Sequence, residues 1–131
     1  DKNVICISGD SSFQMNIQEL GTIPQYNLPI KIVILNNGWQ GMVRQWQESF
    51  YGNRFSNSYM RNGMPDFPAV ARAYGLDGFT ITEFDQFKKI IQDYKTVNQT
   101  LLFDITVIEN ENCYPMVAPG RSNAQMLGLE K

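Results

Sequence analysis

Two polar residues stand just after short apolar runs of the chain, and their types are those that bind a metal ion. Asp10 follows the apolar residues 4–7, and Asn37 follows the run 30–35, which is apolar except for Lys31. Mg²⁺ is usually held by one or two carboxylates together with phosphate oxygens and water, so one carboxylate and one amide oxygen are a sufficient protein share. The pair predicts a magnesium–diphosphate site divided between two segments.

The two apolar runs have the length and β-branched composition of strands. In a parallel sheet the carboxyl ends of the strands face one crevice in which ligands bind, so Asp10 and Asn37 are expected to lie close together. Ser11 or Ser12 is expected to cap a helix whose free backbone N–H groups point at an anion. Metal and phosphate would then share one turn.

The rest of the chain alternates the same two kinds of element. Strands are predicted at 4–8, 30–36, 79–81 and 101–108, and helices at 12–26, 40–51, 66–75 and 83–96. This alternation predicts an α/β fold, a parallel sheet with helices on both faces, in one domain over 1–131. A polar loop or lid over 52–63, mobile without its ligand, and an extended tail over 109–131 complete the prediction.

Local signals place the ends and faces of two of these helices. Asp66 is expected to cap the helix that ends at Gly75, and Thr82 with Asp85 is expected to begin the next helix. The buried face of that last helix is predicted to consist of Phe84, Phe87, Ile91 and Tyr94.

Composition excludes several classes of protein. The chain has 131 residues, 43% of them hydrophobic, which suits one ordinary domain. A net charge of −2 offers no electrostatic basis for binding nucleic acid or an anionic membrane. There is no histidine, and two cysteines, Cys6 and Cys113, are too few for a disulfide scaffold, so both thiols are expected to be free. No apolar run is long enough to cross a bilayer, and no targeting segment is recognised.

Gly9-Asp10-Ser11 followed by Asn36-Asn37 resembles the fingerprint of thiamine-diphosphate enzymes, which is Gly-Asp-Gly followed by Asn-Asn. Asp10 and Asn37 are 27 positions apart, a fitting spacing, and Ser11 stands where the family has its third glycine. Residues 40–51, with Gln-Gly-Met-Val-Arg-Gln-Trp, resemble the segment that follows Asn-Asn in the acetolactate (acetohydroxyacid) synthase family. Segments 65–67, 73–76 and 115–120 are also similar, so the resemblance covers nearly the whole chain.

The resemblance implies a carboxyl-terminal thiamine-diphosphate-binding domain, truncated at its amino end, with thiamine diphosphate and Mg²⁺ as cofactors. The implied metal ligands are Asp10, Asn37 and the backbone carbonyl of Trp39. The implied cofactor-binding residues are Gly9, Asp10, Ser11, Ser12, Asn37, Trp39, Gln40, Gly41 and Met42. Val43, Trp46 and Phe50 would border the substrate channel, with Trp46 partly exposed. The family's activating glutamate is expected outside this chain.

The implied function is the cofactor-binding portion of an enzyme that condenses two 2-oxo acids with loss of carbon dioxide in branched-chain amino-acid biosynthesis. Pyruvate would react with pyruvate or 2-oxobutyrate. The implied partners are an amino-terminal pyrimidine-binding domain of the same subunit, a regulatory small subunit and further copies in a homo-oligomer. The chain alone is expected to be inactive, and its location to be the bacterial cytoplasm or a plastid.

Other interpretations of the same residues stay open. Gly-Asp-Ser and Asn-Asn-Gly could be ordinary turns after strands. Met42, Val43, Trp46 and Phe50 could form the core face of an amphipathic helix, and Arg44 is expected to be a solvated or interface charge. The chain could also be a subunit of another thiamine-diphosphate decarboxylase or oxidase, or a non-enzymatic module that retains the fold.

Overall fold

The computed structural model of the chain describes residues 3–94 and 97–129. Four parallel strands form one sheet in the order β1-β2-β4-β3. They are β1 (Val4–Gly9), β2 (Ile30–Asn36), β3 (Asp77–Ile81) and β4 (Leu101–Thr106). Each bound lies within two residues of its prediction, because β-branched apolar runs with polar ends define strands locally. The predicted α/β parallel sheet is confirmed, with β1 at one edge.

The connecting helices are α1 (Asp10–Gln14), α2 (Thr22–Gln25), α3 (Gly41–Phe50), α4 (Phe67–Ala73) and α5 (Phe84–Tyr94). The single helix predicted over 12–26 is wrong, because a 3₁₀ helix at Ile17–Gly21 separates α1 from α2. Pro24 has no N–H to donate and is tolerated only in the first turn of a helix, so a continuous helix through it is disfavoured.

Helices cover both faces of the sheet, as predicted. On one face, strand residues pack against the 3₁₀ helix, α2 and α4; this cluster contains Leu20, Ile23, Ile32, Ile34, Phe67, Ala71, Leu76 and Leu102. On the opposite face, Ile81, Leu101 and Phe103 pack against α5. Successive strand residues point to opposite faces, so the central strands β2 and β4 are apolar on both sides.

The helix α5 differs from its prediction in face and in cap. Phe87 and Tyr94 pack on the sheet as expected, but Phe84 is 68% exposed and Ile90 packs where Ile91 was predicted. The predicted and the observed apolar residues both repeat with helical spacing, so the spacing alone does not select the buried face. The position of the sheet selects it. The Gln86 side chain, rather than Asp85, accepts hydrogen bonds from the backbone N–H groups of residues 82 and 83, at 3.1 and 3.2 Å. The predicted end at residue 96 lies outside the described residues.

The loop and the tail are held against the body of the chain. In residues 52–63, a 3₁₀ turn forms at Arg61–Gly63, and mobility of this segment stays a prediction. The tail contains a short antiparallel pair, β5 (Met116–Val117) and β6 (Met126–Leu127), and its description as an extended tail stays a prediction. No helix within residues 3–94 and 97–129 is long and apolar enough to cross a membrane.

Candidate functional site

Asp10 lies where β1 ends, and its side chain is only 1% exposed. Its Oδ1 accepts hydrogen bonds from the Ser11 backbone N–H at 2.5 Å and from the Ser11 hydroxyl at 3.2 Å. Its Oδ2 accepts a hydrogen bond from the Gly38 N–H at 2.6 Å. The parallel register of β1 with β2, which pairs Gly9 with Leu35, brings these two strand ends together.

The predicted serine cap is wrong in detail. The N-cap of α1 is Gly9, which has an extended backbone and no side chain with which to cap the helix. The helix begins at Asp10 itself. Ser11 and Ser12 therefore lie inside the first turn. With five residues, α1 has a small dipole. Because the Ser11 hydroxyl donates to Asp10, the Ser12 hydroxyl is the side-chain donor that this turn offers to an anion.

The second half of the site is the turn Asn37-Gly38-Trp39. Asn37 Oδ1 accepts a hydrogen bond from the Trp39 N–H at 3.0 Å, which closes a tight turn directly after β2. Gly38 is buried with a φ of +75°, and a Cβ at this position would lie 2.9 Å from Nε of Arg61. The turn therefore requires glycine at position 38. Of the three backbone N–H groups in this turn, that of Gly38 donates to Asp10.

Both halves line one cavity of about 520 Å³. Its wall includes every residue that the resemblance assigned to the cofactor, namely Gly9, Asp10, Ser11, Ser12, Asn37, Trp39, Gln40, Gly41 and Met42. Val43 also lines it. Of the three residues assigned to the substrate channel, Trp46 and Phe50 do not line this cavity.

Sequence reasoning missed seven residues of the wall: Met15, Leu35, Gln45, Val107, Ile108, Glu111 and Cys113. Leu35, Val107 and Ile108 lie at strand ends, and the rule that ligands bind at the carboxyl ends of parallel strands could have found them. Glu111 and Cys113 belong to the tail, and no local signal in the sequence brings the tail back to this cavity. Both Cys113 and Cys6 are free thiols, as predicted.

The helix α3 turns its apolar stripe outward. Met42, Val43, Trp46 and Phe50 are all exposed, with Trp46 at 38%, and the rings of Trp46 and Phe50 pack edge to face at 4.8 Å. The partial exposure predicted for Trp46 is confirmed, and the alternative that this stripe is a core face is wrong.

The buried residues of α3 are instead the polar pair Arg44 and Gln45. Arg44 pairs with Glu48 at 3.2 Å and lies 5.5 Å from the ring centroid of Trp39, so it is not a solvated charge in this chain. The alternative that it is an interface charge stays a prediction. Gln45 Nε2 donates to the Cys113 carbonyl at 2.9 Å, and its Oε1 accepts from the Cys113 N–H at 2.8 Å. Polar side chains thus join α3 to the tail.

A further carboxylate, that of Asp104, bonds the residue before the Asn37-Gly38-Trp39 turn. Asp104 on β4 is half-buried, and its Oδ1 accepts a hydrogen bond from Nδ2 of Asn36 at 3.0 Å. Burial raises the pKa of this carboxyl, the bond from Asn36 lowers it, and the charges of Asp10 and Asp66 raise it further. Asp104 therefore anchors the last residue of β2, next to Asn37.

The residues present fit a magnesium ion with a diphosphate. Among residues 3–94 and 97–129, Asp10 forms no ion pair with a lysine or arginine, so its buried carboxylate is left free to pair with a cation. No three His, Cys, Asp or Glu side chains in that part of the chain cluster as a metal site. This donor set suits a hard cation that takes its other ligands from phosphate and water.

Comparison with known proteins places the chain in a family. The family model for the thiamine pyrophosphate enzyme, C-terminal TPP binding domain, matches residues 1–105. Thiamine pyrophosphate is another name for thiamine diphosphate.

The chain is 59% identical to an acetolactate synthase large subunit of Porphyra purpurea over 98% of this chain and 22% of that protein. It is 44% identical to the acetolactate synthase isozyme 2 large subunit of Escherichia coli (strain K12), over 95% of this chain and 22% of that protein. The chain thus spans about a fifth of the length of these relatives.

A solved structure shares the architecture. The Rhodococcus jostii RHA1 thiamine diphosphate-dependent 4-hydroxybenzoylformate decarboxylase superposes with a TM-score of 0.72 at 26% identity, over 86% of this chain and 20% of that chain. Together with the family match over residues 1–105, this shows that the chain belongs to the thiamine pyrophosphate enzymes, as their C-terminal TPP binding domain.

Proposed function

We propose that this chain is the cofactor-binding part of an acetolactate synthase large subunit. Such an enzyme condenses pyruvate with a second 2-oxo acid, pyruvate or 2-oxobutyrate, and releases carbon dioxide in branched-chain amino-acid biosynthesis. Identity of 56–60% over 98% of the chain to proteins of that name supports the proposal. One observation carries the site: Asp10 and Asn37 line the same cavity, and the Gly38 N–H joins their turns at 2.6 Å.

Each residue has a proposed role. Asp10, Asn37 and the Trp39 carbonyl bind Mg²⁺, and Gly9, Ser11 and Ser12 contact the diphosphate. Gln40, Gly41 and Met42 border the rest of the cofactor. When bound, thiamine diphosphate supplies the carbanion chemistry of decarboxylation and carbon–carbon bond formation, while the protein binds, orients and excludes water. This chain therefore contributes binding and orientation.

The substrate side is proposed to lie along the exposed face of α3. Val43 reaches the cavity, and the Trp46–Phe50 pair continues outward from it on the same helix. A 2-oxo acid entering along this face would meet apolar side chains before the cofactor. The activating glutamate would come from a pyrimidine-binding domain elsewhere in the subunit, so we propose that the chain alone is inactive.

The proposal extends to the assembly and location of the whole protein. We propose that the whole protein forms a homo-oligomer and binds a regulatory small subunit. Its proposed location is the bacterial cytoplasm or a plastid. Relatives at 56–59% identity come from a bacterium and from algae, which supports this range of sources.

The test of the binding site is calorimetric titration of thiamine diphosphate into the chain, with Mg²⁺ and with a chelator. We expect binding that requires Mg²⁺ and that is lost in Asp10→Ala and Asn37→Ala. Asp93→Ala, which removes an exposed carboxylate of α5, is the matched control and should bind as the wild type does. Binding that persists in Asp10→Ala, or that needs no metal, would contradict the assignment of the ligands.

A second candidate is a thiamine-diphosphate decarboxylase, which the superposition with the Rhodococcus jostii enzyme favours. Its 26% identity ranks it below the acetolactate synthase relatives at 59%. Product analysis separates the two when the complete subunit is supplied with pyruvate. Acetolactate supports the first function, whereas free aldehyde without acetolactate supports the second.

A further inference from the structure

The side chain of Arg61 lies against the turn that carries Asn37 and Trp39. Its Nη2 donates a hydrogen bond to the Asn37 carbonyl at 3.2 Å, and its guanidinium fills the space where a Cβ of Gly38 would be. Arg61 does not line the 520 Å³ cavity. It therefore contacts the turn from outside the cavity wall.

Glu109 holds Arg61 in this position and contacts the same turn itself. Its Oε1 pairs with Arg61 Nη2 at 2.7 Å, and its Oε2 accepts a hydrogen bond from the Trp39 indole at 3.4 Å. Glu109 lies beyond β4, whereas Arg61 begins the 3₁₀ turn at the end of the loop 52–63. The ion pair thus joins two segments that are distant in the sequence, and each of them also contacts the turn.

Backbone hydrogen bonds place the Arg61 segment beside the turn. The Met60 N–H donates to the Gly38 carbonyl at 2.8 Å, and the Gln40 N–H donates to the Ser58 carbonyl at 2.8 Å. These bonds bring Arg61 close, but they do not contact Asn37. Among the residues that the structure describes, only the Arg61 guanidinium donates a hydrogen bond to the Asn37 carbonyl.

We propose that the Arg61–Glu109 pair is a clamp that positions the Asn37–Trp39 turn for metal binding. The inference rests on the proposed function, because it assigns a task to the turn that would bind Mg²⁺. Arg61 and Glu109 are positioning residues, since each acts through Asn37 or Trp39 and neither lines the cavity. Their side chains are 41% and 45% exposed, so replacing them leaves the core unchanged.

The first test needs no cofactor. Backbone amide hydrogen exchange is measured by mass spectrometry on peptides covering residues 36–40 of the ligand-free chain. Arg61→Met keeps an unbranched side chain over Gly38 but removes the hydrogen bonds and the charge, and it should accelerate exchange several-fold. Arg61→Lys keeps the charge and should restore part of the protection. Lys88→Met, which breaks the exposed Lys88–Asp85 pair on α5, is the matched control.

The second test measures the Mg²⁺ dependence of thiamine-diphosphate binding in the same variants. Residues that orient a metal ligand typically change metal affinity by about 10-fold or more, so Arg61→Met should weaken Mg²⁺ binding by about 10-fold. Glu109→Gln should weaken it less, because its amide oxygen still accepts from the Trp39 indole. The double variant should bind Mg²⁺ no more weakly than Arg61→Met alone, because both changes break the same Arg61–Glu109 ion pair.

The outcomes separate the two proposals. Unchanged exchange in Arg61→Met overturns the clamp, whatever the cofactor does. Faster exchange with unchanged Mg²⁺ affinity also overturns it, because the turn would then need no positioning. A wild-type chain with no Mg²⁺-dependent binding, together with faster exchange in Arg61→Met, overturns the proposed function while the turn remains held by Arg61.

Discussion

Gly38 is constrained twice, by its backbone and by its neighbour. Its φ of +75° costs an L-residue about 1–2 kcal/mol, and a Cβ would press on Arg61 at 2.9 Å. We expect Gly38→Ala to lower the free energy of unfolding by about 1–2 kcal/mol in urea denaturation and to abolish Mg²⁺-dependent binding of thiamine diphosphate.

Gly52 offers a matched control for this prediction. Its φ is +58°, and apart from its two chain neighbours no residue in 3–94 or 97–129 has a heavy atom within 4 Å of where a Cβ would lie. Gly52→Ala should carry a similar backbone cost and leave cofactor binding intact. Equal loss of binding in both variants would mean that global stability, rather than the turn, controls the site.

Asp104 predicts a pH dependence of stability. Burial raises its pKa in the folded chain, so the folded state binds a proton more tightly than the unfolded state does. Its contribution to stability is fully present below the ordinary aspartate pKa and is lost as the pH rises through the raised value. Asp104→Asn, which keeps an oxygen for Asn36, should therefore be more stable than the wild type at pH 7.

The difference between Asp104→Asn and wild type should vanish as the pH falls below the ordinary aspartate pKa. Urea denaturation across this range measures it. Asp93→Asn on the exposed face of α5 is the control and should show no such trend. A constant difference at every pH would show that the variant acts through packing instead of titration.

At the scale of elements, α4 depends on one capping residue. Asp66 is its N-cap, and its Oδ1 accepts a hydrogen bond from the Ala69 N–H at 2.9 Å, as predicted from the sequence. Asp66→Ala should cost about 1 kcal/mol of stability in urea denaturation, and Asp66→Ser should recover most of it. An equal cost for alanine and serine would show that the charge, and not the cap, is what matters.

Two buried or half-buried glutamines of α3 anchor different segments. Gln45 bonds both backbone groups of Cys113, whereas Gln47 Nε2 donates to the Ser56 carbonyl at 2.9 Å. Gln45→Leu should leave the tail free, because leucine cannot replace either bond. Limited proteolysis should then cut within 109–117 faster than in the wild type.

Gln47→Leu is the matched control, and it should speed cleavage within 52–63 while the tail stays protected. Equal cleavage of both variants at both segments would mean that each substitution displaces the whole helix α3. Distinct cleavage sites would establish that each glutamine holds one segment, Gln45 the tail and Gln47 the loop 52–63.

At the scale of the whole molecule, β1 presents an unpaired edge with exposed apolar side chains. Ile5 and Ile7 are 61% and 67% exposed, on the edge strand of the sheet. Edges and patches of this kind promote association, so we expect the isolated chain to sediment as a dimer or larger species at micromolar concentration. Ile5→Lys with Ile7→Lys should yield a monomer.

Phe84→Lys is the control for this prediction, because Phe84 is equally exposed but lies on α5, away from the β1 edge. It should leave the sedimentation of the chain unchanged. A monomeric wild type would contradict the prediction, and a monomeric Phe84→Lys variant would move the contact surface from β1 to α5.

The strands, the α/β order and the two turns of the site are specified locally by the amino-acid sequence. Apolar runs with polar ends define strands, and in a parallel sheet all such ends meet at one edge. The presence of Asp10 and Asn37 in one cavity therefore follows from residue types and their order along the chain. The cap of α4 at Asp66 is local in the same way.

Tertiary packing, in contrast, selects which faces are buried and which distant segments complete the site. Helical spacing allowed Met42, Trp46 and Phe50 to face inward, yet Arg44 and Gln45 do so, because the tail supplies them with polar partners. The same spacing on α5 could not select the face that the sheet contacts. Long-range contacts, such as those from Arg61 and Glu109 to one turn, have no local signature, so they emerge only when the chain is folded.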